Sequence, residues 1–106
     1  MKVYTYKVHF TVKSDYSERE VAEVINLLGE DEILLNGMRS YELSKVTEKA
    51  SFEDLYDFCF RAYYLSSKKR KESLDAMTSR YTKEPHLSVM KMVDKFKVAF
   101  TETVTF

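Results

Sequence analysis

Residues 32–46 read Glu32-Ile33-Leu34-Leu35-Asn36-Gly37-Met38-Arg39-Ser40-Tyr41-Glu42-Leu43-Ser44-Lys45-Val46, an Asn-Gly pair between two runs of extended-type residues. A type I′ turn needs positive φ at both central residues, which Asn and Gly tolerate, so this stretch predicts a hairpin. Its arms would be a second strand at Glu32 to Leu35 and a third within Met38 to Val46. In the third strand Tyr41 and Leu43 alternate with Ser40, Glu42 and Ser44, as suits a sheet edge or a partly solvated strand.

Upstream, residues 3–12 alternate strictly. Tyr4, Tyr6, Val8, Phe10 and Val12 share one face and Thr5, Lys7, His9 and Thr11 the other, which predicts a first strand with one buried side. Ser17 with Glu20 three positions on has capping-box spacing, and Val21, Val24, Ile25 and Leu28 follow at helical intervals. Gly29 stands where a left-handed residue commonly ends a helix. The first helix is therefore expected over residues 18–28.

Downstream, Ser51 and Asp54 have cap spacing before Phe52, Leu55, Tyr56, Cys59, Ala62 and Tyr63, which fall on one helical face and predict a second helix to about Leu65. Residues 66–71 contain no apolar side chain, and helical spacing resumes at Leu74, Met77 and Tyr81, so a break is expected near Ser66. After Pro85, the positions Leu87, Met90 and Val93 fit a short helix and a strand equally. From Lys95 to the end alternation returns, with Phe96, Val98 and Phe100 opposite Lys97, Ala99 and Thr101, and predicts the last strand.

Strand, helix, two-stranded hairpin, helical segment, strand is the element order of a split βαβ unit. The chain thus resembles the ferredoxin-like α+β domains, with an extra helical segment before the last strand. The resemblance is one of element order and carries no signature motif. It implies helices on one sheet face, over Tyr4, Tyr6, Val8, Phe10, Phe96, Val98 and Phe100, and an open face bearing Lys7, His9, Lys97 and rows of Thr. A fold of this kind hosts many functions and does not choose among them.

Composition sets further bounds. The 106 residues suit one domain over 1–106, and 15 Phe and Tyr supply a core. Two Gly leave little material for a glycine-rich phosphate cradle. A single cysteine, Cys59, excludes an intramolecular disulfide, and the alternating first ten residues are unlike a signal peptide, so a cytoplasmic location is expected. No apolar run approaches the roughly 18 residues of a membrane span, and no membrane partner is expected. The formal net charge is zero but unevenly spread: residues 1–66 hold 8 basic and 12 acidic groups, residues 67–106 hold 9 and 5.

Candidate sites are sparse. His9 and His86 are the two histidines, and neither they nor Cys59 have metal-ligand spacing, so no metal and no cofactor are expected. His9 suits a general base or a phosphate contact, against the plainer reading of a polar strand residue. Cys59 reads as a core residue of the expected second helix. Lys68, Lys69, Arg70 and Lys71 form the most distinctive charge run, to which Tyr63, Tyr64 and Tyr81 would add stacking surfaces for nucleic acid. Without a catalytic constellation, the sequence points to a small non-enzymatic protein-interaction module, homodimeric or bound to another protein. It would act as an accessory or inhibitor protein of phage or mobile-element type on a host factor, using Lys7, His9 and Lys97 or the run 68–71. The alternative is a nucleic-acid-binding regulator using that run, with an enzyme built around His9 as the third reading.

Overall fold

The computed structural model describes residues 2–48 and 56–104. Its elements run β1 (Tyr4–Val12), α1 (Glu18–Asn36), β2 (Ser40–Lys45), β3 (Phe58–Tyr64), α2 (Ser67–Thr78), α3 (His86–Met92) and β4 (Val93–Glu102). The four strands form one sheet in the order β2-β3-β1-β4, with every neighbouring pair antiparallel. This is the ferredoxin-like α+β arrangement that the element order implied, with α3 as the extra helical segment.

The helix expected over 18–28 continues to Asn36, so the strand expected at Glu32 to Leu35 is helix and no hairpin turn forms at Asn36-Gly37. Ser17 and Glu20 make both bonds of the capping box. Val21, Ile25, Leu28 and Glu32 hold the buried stripe. Gly37 does adopt the predicted positive φ, 77°, but as the left-handed residue that closes α1. The same backbone demand suits a hairpin and a helix end. What separates them is that Glu and Leu are good helix formers and that Ile33, Leu34 and Leu35 are 40%, 80% and 64% exposed, so no sheet face claims them. Gly29 lies mid-helix for a packing reason: a Cβ there would stand 2.5 Å from the Tyr41 ring.

The second correction concerns the helix expected up to Leu65, where β3 is found at Phe58–Tyr64. The cap candidates Ser51 and Asp54, with Phe52 and Leu55, lie outside the described residues. β3 sits between β2 and β1, with Phe58, Phe60, Ala62 and Tyr64 at 9% exposure or less on one face and Cys59 at 2% on the other, where Arg61 and Tyr63 are partly exposed. With Cys59 and Tyr63 on the second face of a central strand, the period-two signal fades and the segment reads as an apolar run. Ser66 is the N-cap of α2, accepting from the Lys69 amide, so the charge run opens a helix. The segment after Pro85 resolves as α3 and then β4, joined at Met92 and Val93 without a loop. A register shift between Phe10 and Val12 accommodates the junction.

Phe10, Phe58, Phe60, Ala62 and Tyr64 on the sheet meet Val21, Ile25, Met38 and Met92 in one core. Burying each large apolar side chain contributes about 1.5–3 kcal/mol. β4 is an edge strand, and its helix-side residues Phe96, Val98 and Phe100 are 59%, 37% and 57% exposed, not packed beneath helices as the alternation suggested. Among the described residues no helix is long and apolar enough to cross a membrane.

Candidate functional site

Between the sheet and the helices lies an apolar cavity of about 210 Å³. Val8 and Phe10 of β1 and Phe60 of β3 form its floor, Ile25 and Leu28 of α1 one wall, and Leu74, Met77 and Val89 the helical cover. Three polar side chains reach it: Tyr6, Tyr81 and His86.

The turn after α2 brings Tyr81 and His86 together. Their ring centroids are 5.7 Å apart at an interplanar angle of 57°. His86 is 5% exposed and opens α3, whereas Tyr81 is 45% exposed at the mouth. Among the described residues, neither side chain gives or takes a protein hydrogen bond. Burial, and secondarily the nearby Arg80 charge, hold the His86 imidazole below the usual histidine range, with Asp31 opposing. Tyr6 is pushed up to about 12, by burial first and then by Tyr81 and Tyr64, so its phenol stays protonated and able to donate. An uncharged imidazole, a protonated phenol and a second phenol at the mouth of an apolar space form an acid–base set.

Behind this set lies a buried polar network. Glu32, fully buried, accepts from Asn36 Nδ2 at 2.6 Å and from Ser73 Oγ at 3.4 Å through Oε2, and the Ser73 and Tyr64 hydroxyls are hydrogen-bonded at 2.8 Å. Its Oε1 has no hydrogen-bond partner and lies 3.8 Å from Arg80. Burial raises the Glu32 carboxyl above the usual carboxylate range despite Asn36, Arg80 and Ser73, which pull it down.

The predicted open-face residues do come together. His9 stands opposite Cys59 on β3 and Lys97 on β4, and Lys7 opposite Arg61 and Ala99. Cys59 Sγ is 4.0 Å from His9 Nε2, a neighbour that the helical reading of residues 52–65 could not supply. Cys59 is 2% exposed, and burial raises its thiol, so it is no ready thiolate.

The basic run does not act as one patch. Arg70 turns in to the sheet, donating to the Thr5 and Thr101 carbonyls at 3.1 and 2.9 Å, with its guanidinium over the Tyr4 and Phe100 rings. Lys68 and Lys69 each lie 3.9 Å from Glu72, and Lys71 is exposed. Sequence reasoning missed the Tyr81–His86 pair because Tyr81 read as a helical-face residue and His86 had no partner within a recognised motif.

No protein-family model matches the sequence, and no curated protein matches it. Solved structures do match its fold. A protein from Arabidopsis thaliana shares 14% identity at a TM-score of 0.74, covering 97% of each chain. A dimeric ferredoxin-like protein of unknown function from Thermobifida fusca shares 15% at 0.65, covering 94% of this chain and 90% of its own. The hydroxynitrile lyase from Passiflora edulis shares 15% at 0.63, covering 98% and 96%. The expectation of a non-enzymatic module is therefore corrected: this fold includes an enzyme, and composition held no signal of that.

Proposed function

We propose that the chain is a small enzyme that transfers a proton to or from a compact, mostly apolar substrate carrying a single hydroxyl or carbonyl group, bound in the cavity under α2 and α3. The observation that carries this reading is the Tyr81–His86 pair at the mouth of the apolar space. A cavity of about 150 Å³ can hold benzene, so 210 Å³ suits one substituted ring or a chain of similar bulk. No Lys or Arg lines it, which disfavours phosphates and carboxylates.

In this reading the uncharged His86 takes the proton of a cyanohydrin hydroxyl, the oxygen closes to a carbonyl as the C–CN bond breaks, and cyanide leaves with the proton from His86. Tyr6 donates a hydrogen bond to the oxygen as negative charge develops there. Tyr81 orients the substrate at the mouth, and the apolar walls exclude water. A hydroxynitrile lyase among the structural relatives is in keeping with such chemistry.

The same proposal takes the working form as a homodimer whose open sheet faces meet, making Lys7, His9 and Lys97 partner-binding residues. Its support is the dimeric Thermobifida fusca relative. Nucleic-acid binding by Lys68, Lys69, Arg70 and Lys71 is the weaker alternative, since Arg70 is committed to the sheet. Turnover of a panel of small aromatic cyanohydrins, and of the matching aldehydes with added cyanide, tests the enzyme reading. His86→Asn should lower kcat by about 10²–10⁴-fold and Tyr6→Phe by about 10²–10³-fold, and turnover unaffected by both would reject it.

A further inference from the structure

Burying a carboxylate opposes folding unless the charge is matched, and an apolar side chain of similar volume is often the more stable choice. Glu32 is nevertheless fully buried, one turn before the end of α1. Its sole cationic neighbour within 4.0 Å among the described residues is Arg80, which also lies 3.5 Å from Asp31. Arg80 is the residue before Tyr81, and its backbone makes the turn between α2 and α3: its amide donates to the Met77 carbonyl and its carbonyl accepts from the Lys83 amide. The guanidinium thus spans from this turn to α1, across the layer that covers the cavity.

We infer that Glu32 and Arg80 form a clamp in which the buried carboxylate holds the guanidinium against α1 and thereby fixes Tyr81 in register with His86. Glu32 is a positioning residue here, acting through Arg80 without touching the cavity. The significance for catalysis rests on the proposed function, in which His86 is the base and Tyr81 orients the substrate beside it. The geometry supports the reading: Glu32 Oε1 has no hydrogen-bond partner and faces the Arg80 guanidinium at 3.8 Å. The exposed side of Asp31 makes that ion pair the weaker anchor.

The test is the ring-to-ring nuclear Overhauser contact between Tyr81 and His86 in the full chain, measured for the native protein, Glu32→Gln, Arg80→Gln and the double variant. Benzyl alcohol affinity is followed in parallel. Gln keeps the shape of Glu32 and its Asn36 contact but removes the charge that holds Arg80. The expected result is loss of the ring contact in each single variant, benzyl alcohol binding about tenfold weaker, and no further loss in the double variant. Amide dispersion and thermal midpoint should stay at least native in Glu32→Gln, separating a lost clamp from a lost fold. If that variant proves unfolded, Arg80→Gln, altered at a partly exposed site, decides the matter alone. A native ring contact in a folded Arg80→Gln or Glu32→Gln protein overturns the clamp, even where benzyl alcohol binds normally. Absence of benzyl alcohol binding to the native protein would count against the enzyme reading, while the ring contact would still judge the clamp.

Discussion

The Tyr41 ring lies across Gly29, so that a Cβ on Gly29 would meet Cδ1 and Cε1 at 2.5 Å. Tyr41 is held there by its hydroxyl, which donates to Asn26 at 3.3 Å, and by the Phe60 ring at 6.0 Å. Gly29→Ala would gain about 1 kcal/mol of helix propensity but must displace a ring anchored at both ends. Overpacking of this kind costs about 1–3 kcal/mol. The expected net result is a lower denaturant midpoint, restored in the Gly29→Ala/Tyr41→Ser double variant relative to Tyr41→Ser alone.

Glu32 gives the protein an acid-side stability term. Its folded-state carboxyl binds protons more tightly than the unfolded one, so stability should fall as pH rises from the ordinary carboxylate value of about 4.3 through the raised folded value. His86 works in the opposite sense. Its lowered folded value means that stability falls as pH drops below about 6.5. Urea unfolding between these limits should show a Glu32 contribution that Glu32→Gln abolishes, together with a gain in stability for that variant at neutral pH. An unchanged pH profile in Glu32→Gln would contradict the assignment.

Strict alternation in β1 and β4 and the Ser17–Glu20 box identified those elements, although β4, at the sheet edge, keeps both of its faces largely exposed. The element order survived two misplacements. Gly29 and Gly37 each look like a helix end, and only the position of the Tyr41 ring shows that the first is a packing gap. Phe58 to Tyr64 lost its period because Cys59 and Tyr63 put apolar and aromatic side chains on its second face. α2 was legible in its second half, through Leu74 and Met77, while its first turn held only the charge run. The cavity was illegible for a different reason: its lining comes from β1, α1, β3, both later helices and β4, and no local spacing encodes it.

Arg70 ties α2 to the β1 and β4 backbones through the Thr5 and Thr101 carbonyls. Hydrogen bonds from a charged donor are worth about 1.5–3 kcal/mol. Arg70→Gln should lower stability by an amount in that range and speed amide exchange along β4, while replacing Lys68 and Lys71 together by Gln should leave both near native. Equal effects of the two changes would show the basic run acting as one unit.

Cys59, buried with its thiol raised, should resist a disulfide reagent in the folded protein and react at the rate of global opening. Rapid labelling in native buffer would mean that the β3 thiol and His9 form an accessible pair.

Light scattering of the purified chain should give a mass near twice 12.5 kDa. Replacing Lys7 and Lys97 by Glu should shift the dimer equilibrium if their sheet face forms the contact. A monomeric mass at micromolar concentration would remove the dimer from the proposal without touching the cavity.

The most direct measurement is an amide and methyl NMR titration with benzaldehyde, a single apolar ring bearing one carbonyl. The expected result is saturable shifts at Leu28, Leu74, Met77 and Val89, with the His86 ring signals moving in step and the response lost in a variant that fills the space, Leu74→Trp. Saturable shifts centred on Lys7, His9 and Lys97, or no saturable shifts at all, would contradict a catalytic cavity under α2 and α3.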